Sequence, residues 1–343
     1  MNFLATAPRS NHFARLLAAA VTLSALVVAA DGQRPAAARP GGAPAQIVLQ
    51  PRYHAGARYA WRLRVHSVIR RTQAGQTASA TLDNQAVVVM HVIAGGATSR
   101  SAAAAPVVVA LSFRAYHTTV AGFGPLAAAL RRTAAATDQA ALHTRGLELR
   151  LSPGAATQIV AVGRPPAPRE ARTMVRQLLT TAGLPLGAVR PGESWSRGEI
   201  QKLPQFHFSF PLPVHGRFVA WRPGPAGSWL AAVHSTSHAD VTLPPGATPG
   251  FQAAAAAGYA SQARLRIDGR TASRFAPSGI LVRARSHTHT WLRMQLIGGA
   301  GAGIRASPVA EVTEMHVDST GSVRAIAPSR RPAAPPAPAP AHR

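Results

Sequence analysis

Polar and apolar residues alternate along much of this chain. In Tyr59–Arg70, Trp61, Leu63, Val65, Ser67 and Ile69 fall on one side; Arg62, Arg64, His66 and Arg70 fall on the other. A period of two sustained over that length predicts a half-buried antiparallel strand. Gly75 marks a loop, after which Ala80–Ile93 returns as a second strand and Pro106–Val120 supplies a third. Leu147–Leu151 and Gln158–Val162 flank Pro153-Gly154 and read as a hairpin. In the C-terminal half, Arg217–Trp221, Ser228–Val241, Tyr259–Ile267, Ala272–Phe275, Ile280–Ile297 and Val309–Val317 are candidate strands. Asp268-Gly269 and Pro277-Ser278-Gly279 supply the turns between them.

The period changes twice. Leu126–Leu142 is Ala-rich and is followed by Gly146, which predicts a helix. Arg169–Thr181 follows Pro168, stops near Gly183, and sets Ala171, Met174, Val175, Leu178 and Leu179 at helical spacing. The predicted fold is therefore α+β and mainly β: a curved antiparallel sheet meander with two helices packed on one side. No fixed-period repeat interrupts it.

The ends differ from this pattern. Arg9 and Arg15 precede the apolar run Leu16–Val28, and Val28 and Ala30 are small residues before Asp31. That is the layout of a secretory signal over residues 1–30, with an uncleaved anchor as the alternative. Residues 31–45 form a Pro/Ala/Gly leader and residues 328–343 a Pro/Ala tail, both expected to be disordered. A single β-rich domain is expected over residues 46–327. The expected location is extracytoplasmic, periplasmic or secreted.

Composition narrows the chemistry. The chain has no cysteine. Disulfides, thiolate nucleophiles and Cys-bound zinc are excluded, so a conventional core must hold the fold. Lys+Arg number 37 against Asp+Glu 12, a formal charge of +25. Lys202 is the sole lysine, and Ala, Pro and Gly are abundant, a bias that codon composition produces by itself. The charge still implies loose, salt-dependent attraction to polyanions. The scattered arginines lack aromatic interleaving, so no specific nucleic-acid partner is expected.

Three stretches carry a family resemblance. Tyr53-His54-Ala55-Gly56 leads into the first long strand. Leu149-Arg150-Leu151-Ser152-Pro153-Gly154 leads into Ile159-Val160, a helix, and Pro191-Gly192-Glu193-Ser194-Trp195. Asp268-Gly269 later precedes Phe275 and Ser278-Gly279. Over residues 50–320 this order resembles exported bacterial β-rich proteins of unknown function, in which a Gly-acid-x-Trp element opens a strand after the helix. The resemblance implies an extracytoplasmic curved sheet with helices on one side, and it transfers no catalytic residue.

Several motifs invite chemistry. His234, Thr236, His238 and Asp240 share a strand face, but a solvated polar face explains them better than a metal site among so many arginines. Gly298–Gly303 resembles a phosphate loop without the helix that such a loop needs, and reads as a flexible connection. Gly192-Glu193-Ser194-Trp195-Ser196 lacks the second glycine of a nucleophile elbow. Glu311 and Glu314, three apart in a strand, point to opposite faces. Arg283, Arg285, His287 and His289 share a face, and Arg62, Arg64 and His66 form a matching one. Guanidinium forks with imidazole donors suit a carboxylate or phosphate, although a plain exposed face explains these residues better. Trp195, just inside a strand after a Pro-Gly turn, is expected to anchor the core rather than contact a ligand, with Ser194 and Ser196 turned to solvent.

These observations favour a secreted, non-enzymatic envelope protein with no cofactor. It would bind an apolar or anionic ligand on the concave face of its sheet, or serve a structural role, with an unidentified ligand or envelope component as partner. An extracytoplasmic hydrolase and a basic polyanion-binding module are the alternatives.

Overall fold

Alternation builds one sheet. In a computed structural model, the chain is described over residues 42–51, 53–94, 107–143, 147–151, 158–162, 183–203, 208–244, 260–297 and 311–326. The strands are β1 (Ile47–Val48), β2 (Arg58–Gln73), β3 (Gln76–Ala94), β4 (Val107–Gly122), β5 (Leu147–Leu151), β6 (Gln158–Val162), β7 (Ala188–Val189), β8 (Ser194–Leu203), β9 (Phe208–Pro223), β10 (Trp229–Leu243), β11 (Ala260–Phe275), β12 (Leu281–Ile297) and β13 (Glu311–Ile326). The helix α1 spans Gly124–His143. Mainly-β character with an antiparallel meander is what the alternation predicts. Among the described residues α1 is the one α-helix; the second predicted helix, at 169–181, lies outside them, as do the Pro153-Gly154 turn and the glycine run at 298–303.

Eleven strands form a single antiparallel sheet in the order β6-β5-β4-β3-β2-β13-β12-β11-β10-β9-β8. The chain enters at the centre with β2 and builds one wing out to β6. It then crosses to the far edge at β8 and meanders back, so that β13 pairs with β2. The β2–β3 connection is the two-residue turn Ala74-Gly75, flanked by the pair Gln73 and Gln76. Both turn residues have positive φ, 48° and 75°, as a twist-matched hairpin requires.

Two elements fill the inner face. The β1–β7 ribbon plugs one end: Ile47, Leu49, Tyr53, Leu184 and Val189 share a cluster with Trp61, Val88, Leu111, Leu149 and Phe218 from both wings. Gly279 in the β11–β12 turn (φ 79°) comes so close to the Val48 and Gln50 carbonyls that no side chain fits there. At the other end α1 packs on β4 and β3, and its Leu126, Ala127 and Leu130 share a cluster with Ile69, Leu82, Leu265, Leu292 and Val317.

Two expectations are corrected. Asp268-Gly269 is not a turn, because pairing of β11 runs unbroken through both residues to β10 and β12. Asp268 points outward to ion partners, and Gly269 faces inward where the Ser237 hydroxyl takes the space of a side chain. β9 also starts earlier than predicted and contains Pro211 and Pro213. Its pairing to β10 stops at Val214, just short of those prolines, which lack the N–H a central strand needs.

Candidate functional site

The inner face contains a gap between its two cores. Residues directly opposite one another across the strands form rows, and three adjacent rows define it. The upper row, Leu63, Val323, Ala284, Ser273 and Val233, is buried. The lower row, Ser67, Ser319, Thr288, Gly269 and Ser237, is buried too. Between them Val65, Gly321, Ser286, Thr271 and Ser235 are partly exposed. Between the two cores, solvent therefore reaches the inner face along a line one residue wide, where the aromatic-rich core around β1–β7 and the aliphatic core under α1 fail to meet.

The groove has defined ends. On the β3 side, Asn84 Nδ2 donates to Tyr116 Oη and Thr118 Oγ1, both at 3.1 Å. Asp138 of α1 in turn accepts from the Thr118 amide and hydroxyl, both at 2.7 Å. That network ties the helix to the strands and closes this end. On the β8 side the floor is Gly216, whose missing side chain makes room for the Trp195 ring. Trp195 donates from Nε1 to the Gly183 carbonyl at 3.0 Å and packs on the upper core while staying partly exposed. Ser194 and Ser196 beside it face solvent. The tryptophan thus anchors an edge strand and also walls the groove.

The floor is built of hydroxyls on an apolar bed. Ser67 and Ser319 hydrogen-bond each other at 2.8 Å beneath it. Small side chains are what the rows permit: the Ser286 hydroxyl lies over Gly321, and that of Ser237 over Gly269. No ionisable side chain stands in the middle row itself, from Asn84 to Trp195.

The predicted anion-binding residues lie on the other, outer face. Arg62 and Arg64 are on β2, Arg283 and Arg285 on β12, and β13 separates them. The two matching faces are thus brought onto one surface, one strand apart. His66 sits 2.7 Å from Asp83, and His289 sits 2.7 Å from Asp318. His287 is exposed, opposite Arg270. The arrangement is a surface rather than an enclosed pocket.

Sequence reasoning missed Arg324, Arg274, Arg270 and Arg217, which the register adds to this surface. Alternation in Arg270-Thr271-Ala272-Ser273-Arg274 was the available signal. Of the proposed metal face, His238 faces Asp268 at 2.7 Å and Asp240 faces Arg264 at 2.6 Å, so the two side chains serve different partners. Among the described residues no group of three or more metal-ligating side chains converges. Glu314 faces Arg293 at 3.5 Å.

Two carboxyls on this face are shifted. The Arg264 guanidinium, bonded through Nε at 2.7 Å and Nη2 at 2.6 Å, lowers the Asp240 carboxyl below its ordinary range. Partial burial pushes Asp268 upward, but the hydrogen bonds from His238 and Arg266 outweigh it and leave the carboxyl lowered.

No protein-family model matches the chain, and no curated protein matches it. Among solved structures, lipovitellin aligns at 12% identity and a TM-score of 0.37, covering 82% of this chain but 26% of its own. The chain thus spans about a quarter of that protein's length. A DUF1329 family protein from Desulfovibrio piger aligns at 6% identity and a TM-score of 0.14, over 75% and 83% of the two chains. Pseudomonas aeruginosa OccK2 aligns at 8% identity and 0.20, over 79% and 99%. Similarity at this level defines no family. No helix among the described residues is long and apolar enough to cross a membrane.

Proposed function

We propose that this is an extracytoplasmic, non-enzymatic binding protein that holds an elongated, uncharged and largely apolar ligand in the groove of its inner face. The observation that carries the reading is the partly exposed row Val65, Gly321, Ser286, Thr271 and Ser235 lying between two fully buried rows. Ligand sites are mostly apolar clefts with a few placed polar groups. Here the walls are the edges of two hydrophobic cores, and the polar groups are three hydroxyls with Asn84 at one end. With no ionisable side chain along the row, an anionic ligand has no partner there. The signal-like first 30 residues support export, and the resemblance to exported β-rich proteins agrees with it.

The neutral fluorophore N-phenyl-1-naphthylamine tests this. The folded protein should enhance its emission saturably. Ser286→Trp fills the floor and should abolish the enhancement; Ser235→Phe, nearer the β8 end, should weaken it, with melting temperatures near that of the parent for at least one of them. Unchanged titration in a folded filling variant, or no enhancement by the parent, would overturn the reading.

A further inference from the structure

We infer that the outer face of the sheet, at the end lying over the β1–β7 plug, is a docking surface for an anionic lipid bilayer. The inference is independent of the groove. It rests on a ladder of arginines that sequence order conceals. Arg62 of β2 stands directly opposite Arg324 of β13, Arg324 opposite Arg283 of β12, and Arg283 opposite Arg274 of β11. Neighbouring strands lie about 4.8 Å apart, so four guanidinium stems cross about 14 Å of sheet in a line. The next row adds Arg64, Arg285 and Arg217, and the one after it adds Arg270.

All eight side chains are exposed, and none has an ion-pair partner among the described residues. The acid within these rows is Asp83, and it is held by His66 at 2.7 Å. Like charges directly opposite across strands oppose folding. A row of them gains favourable partners only from outside the molecule.

Shape chooses the occupant. The cations fill an area of four to five strands by three rows, not a single line, which fits a two-dimensional field of anions better than one polymer strand. No Phe, Tyr or Trp stands in these rows on the outer face, so there is no platform for stacking bases. Headgroup phosphates would accept paired hydrogen bonds from guanidinium forks such as these. Each basic residue held near an anionic leaflet adds roughly fivefold to its partitioning.

Co-sedimentation of the full chain with vesicles tests this. One vesicle set is phosphatidylcholine alone; the other contains about one-third phosphatidylglycerol. The ladder variant carries Arg62→Gln, Arg274→Gln, Arg283→Gln and Arg324→Gln. A control carries Arg70→Gln, Arg264→Gln, Arg266→Gln and Arg293→Gln, which removes equal charge from the other end of the same face. The parent should bind the anionic vesicles with steep salt dependence and ignore the neutral ones. The ladder variant should lose more than tenfold in partitioning, and the control less than threefold. Equal losses in both variants would reduce the effect to net charge and overturn the inference. So would binding to neutral vesicles. Heparin is the third arm: if it binds more tightly than the vesicles and through the same ladder, the surface serves a soluble polyanion and not a bilayer. Melting curves check the variants; the ladder variant, relieved of repulsion, should melt no lower than the parent.

Discussion

The two ends of the outer face are made of the same residue types and behave differently. At the end over α1, each acid has a basic side chain against it. Asp318 lies 2.7 Å from His289 and 3.9 Å from Arg70, Asp268 lies 2.7 Å from His238 and 2.9 Å from Arg266, and Asp240 lies 2.6 Å from Arg264. At the end over the β1–β7 plug, arginine faces arginine for four strands. The inner face compensates. Beneath the paired end the core is mostly aliphatic, with Ile69, Leu265, Ile267 and Val317. Beneath the repelling end it holds Tyr53, Tyr59, Trp61, Phe113, Tyr116, Phe218 and Phe275. Exposed charge pairs and repulsions are each small, whereas one buried aromatic is worth several times as much. A sheet can therefore carry an unpaired cationic surface where its other side buries enough.

The largest expected effect lies in that compensation. Trp61 is fully buried, between Arg62 and the preceding outward residue Ala60, and its ring stacks near Tyr59 at 6.3 Å. Trp61→Ala should cost about 3–5 kcal/mol in chemical denaturation. Ile69→Val under the paired end should cost about 1 kcal/mol. A Trp61→Ala cost under 1 kcal/mol would mean that something other than aromatic burial offsets the ladder.

The boundary between the ends comes next. Gly269 and Ser237 are opposed, and the serine hydroxyl fills the place a side chain at 269 would take. Gly269→Val should cost about 1–3 kcal/mol through overpacking. Adding Ser237→Gly should recover a large part of that cost. Simple additivity in the double variant would show that the contact is not what requires glycine.

Much of this was legible from alternation. Trp61, Leu63 and Ile69 inward with Arg62, Arg64 and Arg70 outward needs no partner strand to be read, and the same holds for Arg283 and Arg285. α1 was legible from its alanine-rich run. Register between distant segments was not. That Arg324 stands between Arg62 and Arg283 depends on β13 pairing with β2 across more than 200 residues, which no local pattern encodes. Asp268-Gly269 was misread because the dipeptide suits a turn as well as it suits an ion-pairing residue beside a packed glycine. The groove was invisible for another reason: Ser286 and Thr271 resemble Thr288 and Ser237 in type and face, and only the separation of the two cores makes one row accessible.

Acid should act on the paired end. Asp268 and Asp240 have carboxyls lowered from the ordinary value of 3.8. The unfolded chain then binds more protons than the folded one in that range, so these groups contribute stability above about pH 4 that is lost as pH falls through their lowered values. In Asp268→Asn the unfolding free energy should decline less steeply below pH 4 than in the parent. Its difference at neutral pH should stay within about 1 kcal/mol, as exposed pairs are weak. Parallel pH curves would remove these pairs from the account.

The smallest effect isolates the ladder itself. Arg283 is opposed by Arg324 on one side and Arg274 on the other, all three exposed. Arg283→Glu converts two like-charge contacts into two opposite-charge ones without touching the core. Cross-strand charge pairs are worth about 0.2–1 kcal/mol each, so the variant should be more stable than the parent by up to ~1 kcal/mol at low salt. The gain must shrink as the Debye length falls from about 10 Å at 0.1 M to about 3 Å at 1 M. The same exchange at the paired end, Arg266→Glu, places a glutamate beside Asp268 and removes a 2.9 Å ion pair, so its sign should be opposite. Denaturation midpoints at 0.02 M and 1 M salt read both. Opposite signs that converge at high salt would establish that the two ends differ in electrostatics. A destabilising Arg283→Glu, independent of salt, would show instead that the arginine stems hold the face together by packing, and the contrast between the ends would then be one of shape.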